Sequence, residues 1–434
     1  MEQSRMGIQD LRQGFARKTL PIAGLFRRYW VLLFACIPLL RVFVLTSSSE
    51  NFSDWQLYMR IFWTPTLYLE IGIFVYAVIN GLNITKLLQS LPPLLKFAIL
   101  LWIAALFLST LMTEAIPALA VRGAGFWVVH ILFFTAAAHL FYTSSAREVE
   151  VAQLFALTLC FASAATGICI AVFVFSIGLD SGFNWSINLP GFTNLRHTGY
   201  FFAPAIALGV AHLAGQPSKF VKTHLVLLII NIAMMLWLGS RGPVFGLMVG
   251  FAFCALRYFE FRSARFLWRA GLAAAIGALF SVIIPIPKGF GFGALQRFWF
   301  SDSDVGAFSS GRTDFWIEAV KLIKIKPLFG YGSHQYQFVS EMAGGVFKHP
   351  HNSLLQCVFD WGLVGGILFI ILLGYAVYKA IGKSQGHRYV QIISAMGMIS
   401  MLAYSLVDGI LFYPYPIAIV LILLLFSMIR RSPA

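Results

Sequence analysis

The sequence predicts an all-α protein, a polytopic bundle of about twelve transmembrane helices carrying one large extramembrane loop. Three observations carry this. The 434 residues are 59% hydrophobic and only 11% charged, with a mean hydropathy of +0.80. Soluble domains carry about 25% charged residues, so a chain this poor in charge must turn most of its surface to lipid. Apolar runs of spanning length recur from end to end, and Lys and Arg are shared unevenly among the segments between them.

A helix needs roughly 20 mostly apolar residues to cross the hydrocarbon core. On that template the candidate spans lie near 29–46, 64–82, 95–112, 125–142, 151–178, 199–214, 223–239, 243–256, 268–286, 362–380, 389–409 and 413–429. No internal repeat accompanies them. Residues 1–28 are polar and basic, and the first apolar run is long with no small-residue cleavage site. They read as a cytoplasmic tail rather than a cleaved signal, leaving 29–434 as a single transmembrane domain.

With the N-terminus inside, 20 of the 32 Lys and Arg residues fall in cytoplasmic segments. The short outer loops hold Arg60, Arg122, Arg196 and Arg241. That asymmetry follows the positive-inside rule and places both termini in the cytoplasm and the long segment 287–361 outside. It also accounts for the +15 net charge without a nucleic-acid partner. Cys36, Cys160, Cys169, Cys254 and Cys357 lie in or beside apolar runs without metal-ligand spacing, and read as small buried hydrophobes.

Within 287–361, residues 313–324 place Phe315, Trp316, Ala319, Val320 and Ile323 at helical spacing, an amphipathic stripe suited to lying on the bilayer. Phe290, Phe292, Phe298, Trp299 and Phe300 precede it and read as rings that dip into the headgroup layer. The polar residues of interest fall on the outer side. Arg241 sits in the turn Gly239-Ser240-Arg241-Gly242-Pro243, on the side that disfavours arginine. There it can present a planar fork to phosphate oxygens. Arg312 opens the amphipathic helix, where free backbone N–H groups attract anions. In Lys348-His349-Pro350-His351-Asn352, Asn352 is an N-cap for a helix starting at Ser353, and His351 is held just before it. Histidine is the usual general base near neutral pH. Gly362 and Gly365 are expected to break the helix that follows.

Weaker candidates surround these. His349, Asn352, Arg196 and His197 are possible substrate contacts. Asp408 is a possible helper. Arg41 and Glu70 read as a structural ion pair inside the first two spans. His349 and His351 with Asp302 and Asp304 could suggest a metal site, but the Asp pair sits in a Ser/Gly-rich turn where Asp is common anyway. The reading is no metal and no cofactor.

His351-Asn352, nine residues, then Gly362-x-x-Gly365 resembles the histidine signature of the O-antigen ligase and polymerase superfamily. The Ser240-Arg241-Gly242 turn is similar to that superfamily's first arginine motif. Arg312, with Trp316, Pro327, Gly330 and Gly332 behind it, resembles the second. The three occur in order over roughly residues 220–430, while 1–200 match only as a string of spans.

The resemblance implies a GT-C-like glycosyltransferase of the bacterial inner membrane with a periplasmic active site. It would move an undecaprenyl-diphosphate-linked glycan to an acceptor hydroxyl, inverting the sugar and using no metal. Arg241 and Arg312 would stabilise the diphosphate leaving group, and His351 would accept or orient the hydroxyl proton. The acceptor would be lipid A-core for a ligase, or the growing glycan for a polymerase, with membrane lipid around both. A transporter of lipid-linked glycan would instead predict repeats and ionisable groups at mid-membrane. A peptidoglycan-type polymerase would rely on a loop carboxylate.

Overall fold

A computed structural model describes residues 21–45, 65–143, 148–180, 195–215, 220–287, 292–299, 311–345, 347–382 and 387–428, with positions 182, 183, 185, 189 and 192. Among the described residues there are helices and short 3₁₀ turns but no strand. In chain order the helices are α1 Pro21–Tyr29, α2 Val31–Leu45, α3 Pro65–Ile79, α4 Ile84–Ser90, α5 Pro93–Leu111, α6 Pro117–Thr143, α7 Glu148–Ile177, α8 Gly199–Gly215 and α9 Val221–Trp237. They continue as α10 Gly242–Arg257, α11 Ala264–Ile283, α12 Ala294–Trp299, α13 Arg312–Ile325, α14 Tyr336–Val339, α15 Ser353–Gly382, α16 Arg388–Ser405 and α17 Pro414–Met428.

Each predicted span coincides with a helix, the first with α2, while α1 lies almost wholly within the segment read as a tail. Six stretches are long and apolar enough to cross a bilayer by length and composition: α5, α6, α7, Leu195–Gly215, α11 and α15. Val31–Leu40, Thr66–Ile79, α9, α10 and α17 are shorter apolar helices. The chain is a multi-pass, all-α membrane protein. α16 is the more polar because protein surrounds it. Ser394, Ser400 and Ser405 are buried along it, as are Tyr389 and Tyr404.

Two close approaches set the architecture. Gly242, Gly246 and Gly250 recur every fourth residue on α10 and form a bare strip against α16. A Cβ at Gly246 would collide with the Ser400 carbonyl, and one at Gly250 with the Ser400 hydroxyl. Small residues at this spacing let membrane helices pack backbone to backbone. The strip seats Arg241, one residue before it, beside the end of α16.

The second approach is at a break in α15. Gly362 there has φ 65° and ψ −175°, a conformation open essentially to glycine alone. The break frees backbone groups that segment 327–332 takes up. Tyr331 N–H donates to the Phe359 carbonyl (3.0 Å), Gly332 N–H to Asp360 (2.9 Å), and Leu363 N–H to Pro327 (2.7 Å). Ser109 Oγ of α5 also donates to the Asp360 carbonyl at 2.5 Å. Buried backbone groups need such partners. The Pro327, Gly330 and Gly332 positions thus form the joint between the chain that follows α13 and the helix that follows His351.

Several expectations change. Part of the stripe on α13 faces protein: Phe315, Ala319 and Ile323 pack with Tyr331, Tyr336, Ala343 and Phe359, because the joint folds residues 331–343 back over the helix, while Val320 stays exposed. Phe292 is buried in the core between Trp185 and Trp237 rather than in headgroups. Phe290, Phe300, Asp302 and Asp304 lie outside the described residues, as do the side chains of Phe298 and Trp299. Glu70 pairs with His130, whose Nδ1 lies 3.0 and 2.8 Å from its two carboxylate oxygens. The side chain of Arg41 lies outside the described residues. Gly365 does not break α15. It stays helical and brings Ala105 of α5 close. The cysteines are free: Cys160, Cys254 and Cys357 are buried, and Cys36 and Cys169 partly so.

Gly362→Ala puts a Cβ into the Leu328 carbonyl and a side chain on a glycine-only backbone. The expected cost is at least about 1–3 kcal/mol, seen as a lower thermal unfolding midpoint in detergent. Gly374→Ala, in the same helix with nothing within 4 Å of its new Cβ, keeps the wild-type midpoint. Equal midpoints for the two variants would contradict the joint.

Candidate functional site

Four segments far apart in sequence meet at one end of the bundle. The α9–α10 turn brings Arg241. Gly239 there takes φ 78°, and the buried Ser240 hydroxyl lies 3.4 Å from that of Thr198. α13 begins with Arg312 after Gly311 in the left-handed conformation (φ 74°). The loop before α15 brings His349 and His351, and Asn352 caps α15 as expected, its Oδ1 accepting from Leu354 and Leu355 N–H at 3.0 and 3.1 Å. The turn after α16 brings Asp408.

Asp408 is the centre of the cluster and is buried. Its Oδ1 accepts from His351 Nδ1 at 3.2 Å and from Gly409 N–H at 2.8 Å. Tyr404 donates to Oδ2 at 3.4 Å, and Tyr200 to Oδ1 at 3.5 Å. Arg312 Nη2 stands 4.0 Å from Oδ2. Burial alone raises this carboxyl's pKa. The His351 hydrogen bond and the charges of Arg312 and His351 outweigh burial and hold it well below the usual carboxylate range.

With Nδ1–H given to Asp408, neutral His351 carries its basic lone pair on Nε2. The side chain is 19% exposed, so the ring is tied at Nδ1 and still reaches the surface. Phe315 and Phe347 flank it at centroid distances of 6.1 and 5.9 Å. The backbone at His351 has φ 55°, rare for a residue other than glycine.

Beside this pair lies a cavity of about 320 Å³, lined by Arg196, Arg241 and Arg312 with Tyr404 and Asp408. Its volume is in the range of small-ligand sites. Three guanidinium groups face one carboxylate, so the cavity carries net positive charge. Burial, then the nearby charges of Arg196 and Arg312, pull the Arg241 pKa down, a repulsion that an anion would relieve. Arg312 Nε is buried with no hydrogen-bond partner among the described residues. The apolar part of the lining, Val244, Phe245 and Met248, lies on the first turns of α10.

The other candidates stand behind the cluster. His349 is 3% exposed, and both ring nitrogens are engaged: Nδ1 accepts from His351 N–H at 3.2 Å, and Nε2 pairs with the Tyr413 hydroxyl at 3.2 Å. That hydroxyl in turn reaches His197 Nε2 at 3.2 Å. The His197 ring stacks on Tyr200 at 5.1 Å. His349 and His197 therefore face protein, the Asn352 carbonyl is committed to its cap, and Arg196 joins the cavity wall.

His349, His351 and Asp408 each bring one potential metal-ligand atom within 4.8 Å of the others. Their hydrogen bonding is set differently. His349 Nδ1 is an acceptor for an amide, which fixes its proton on Nε2, and His351 Nδ1 donates to the carboxylate. Arginine already supplies positive charge at the same carboxylate. The donor set fits a carboxylate–histidine pair better than a cation site.

Sequence reasoning understated Asp408 and missed Tyr200, Tyr404 and Tyr413. An acid near the end of a predicted span, four residues after a tyrosine, was the available signal. The tyrosines looked like ordinary interfacial aromatics.

Residues 226–370 match the family model described as O-antigen ligase. That stretch runs from α9 into α15 and contains Arg241, Arg312 and His351. No curated protein matches the chain.

Asp408 titrates lower in the folded protein than when unfolded, so it contributes stability above the ordinary aspartate pKa of about 4 and loses that contribution as pH falls further. The stability advantage of wild type over Asp408→Asn is expected to be largest at neutral pH and to shrink below about pH 5, as read from thermal unfolding across pH. A gap that stays constant or widens in acid would show that the carboxylate is not held by these cations.

Proposed function

Because residues 226–370 match the O-antigen ligase family model, we propose that the chain belongs to that superfamily and transfers a glycan from undecaprenyl diphosphate to a hydroxyl of lipid A-core. The reaction would occur on the periplasmic face of the bacterial inner membrane, with both chain termini cytoplasmic. The observation that carries this reading is the positively charged cavity beside a histidine oriented by a buried carboxylate. The orientation rests on the Lys and Arg bias of the loops. The assembly of Arg196, Arg241, Arg312, His351 and Asp408 at one end of the bundle agrees with it. A transporter needs no such one-sided cluster.

The chemistry follows from charge. The bond from the anomeric carbon to the diphosphate oxygen breaks, and its electron pair leaves on diphosphate. Arg241 and Arg312, with Arg196 behind them, are placed to neutralise that charge. Loss of one preorganised donor of this kind costs on the order of 10²–10³ in rate. The acceptor oxygen bonds to the anomeric carbon from the opposite side, which inverts it. His351 Nε2 takes or orients the hydroxyl proton, a contribution of about 10²–10⁴, and Asp408 stabilises the imidazolium that forms. No divalent ion is needed, because the arginines occupy that role.

In a deletion strain, wild type is expected to restore a full lipopolysaccharide ladder on gels. His351→Ala, Arg241→Ala and Arg312→Ala are expected to leave uncapped lipid A-core while polymer accumulates on undecaprenyl diphosphate. Core bearing a single repeat, with no long carrier-linked chain, would instead identify a polymerase. Full ladders from all three variants at normal expression would overturn the site.

A further inference from the structure

We propose that His349 is a positioning residue, holding His351 and Asp408 at the separation their hydrogen bond needs. This rests on the reading above in which His351 handles the acceptor hydroxyl.

Two contacts carry it. The first is the hydrogen bond from His351 N–H to His349 Nδ1 at 3.2 Å. It engages the amide of a residue that sits at φ 55°, a strained conformation that persists only where its surroundings impose it. The second is the face of the ring against Gly409. A Cβ built there would collide with His349 Nδ1 and lie 2.5 Å from Cε1 and 2.7 Å from Cγ. Gly409 is the residue after Asp408, and its N–H is one of the donors to that carboxylate. One imidazole thus touches the backbone that aims His351 and the backbone that aims Asp408.

The ring itself has little freedom. Nε2 is tied to Tyr413, which is tied to His197. Phe412 and Tyr413 pack on it at 5.1 and 5.7 Å. Burial, with the neighbouring His351, lowers its pKa well below the ordinary value, which keeps Nδ1 free to accept. At 3% exposure the side chain has no access to a glycan or a diphosphate. Its effect must pass through the two residues it braces, so it should change turnover and not donor affinity.

Replacement by amides separates the two nitrogens. The Asn carbonyl falls near the position of Nδ1, and the longer Gln side chain reaches toward that of Nε2. His349→Asn can still accept the His351 amide; His349→Gln keeps only the link to Tyr413. The experiment is steady-state transfer by purified full-length protein with a polyprenyl-diphosphate glycan donor, alongside thermal unfolding of each variant. The expected result is that His349→Gln lowers kcat by roughly 10²-fold, the scale of a misplaced catalytic group, with the donor KM unchanged. His349→Asn should keep most of the wild-type kcat. Gly409→Ala, which displaces the ring without removing it, should reproduce the His349→Gln pattern. Wild-type turnover in His349→Gln, or equal loss in both His349 variants in step with lower unfolding midpoints, overturns the proposal. Full activity of His351→Ala in the same assay would overturn the functional reading beneath it instead.

Discussion

A buried carboxylate among cations is the constraint on which this end of the molecule depends. Asp408 has lost its water, and an isolated charge in that position is not tolerable. It is retained because His351, Arg312, two tyrosine hydroxyls and the Gly409 amide replace its hydration. Removing one partner from such a buried pair typically costs about 3–5 kcal/mol, so the partners are held as firmly as the carboxylate. In the proposed reaction the same interaction orients the imidazole for proton transfer, and the arginines line the cavity beside it. Stability and chemistry draw on one set of contacts.

Close backbone approaches bring those partners together. The glycine strip of α10 lets it lie on α16, which places Arg241 within reach of a turn more than 160 residues later. The break at Gly362 offers unpaired backbone groups that the segment after α13 fills, together with Ser109 of α5, so the helix bearing Arg312 is tied to the helix that follows His351. Glu318 adds a tie on the outer surface, accepting from Ser340 Oγ and from Met342 N–H. Cations that repel one another are kept together by close approaches at glycines, of which Gly246, Gly250 and Gly362 stand outside the cavity lining.

The helices and the three principal basic residues were legible in the sequence because their signals are local. A run of apolar residues, a cap such as Asn352, or an arginine on the disfavoured side can be read within a few positions. Partnerships across the fold were not. Nothing near Glu70 points to His130, sixty residues on, and Arg41 offered a nearer opposite charge. Asp408 looked like a lone acid at a helix end because His351, Arg312 and Tyr200, which make it central, come from three other segments. The stripe on α13 was read correctly as apolar, but its covering comes from a turn whose path depends on the break at Gly362. His349 shows the same limit: its pattern suggested a substrate contact, and its burial follows from Gly409 and Tyr413.

The most direct test of this account is transfer by the purified protein in liposomes containing a polyprenyl-diphosphate glycan and an acceptor, with excess EDTA present. Undecaprenyl diphosphate should be released together with glycosylated acceptor at the rate seen without chelator, and His351→Ala should release neither. Transfer that stops on chelation and returns with a divalent ion would contradict the claim that arginines and a carboxylate-held histidine perform the reaction.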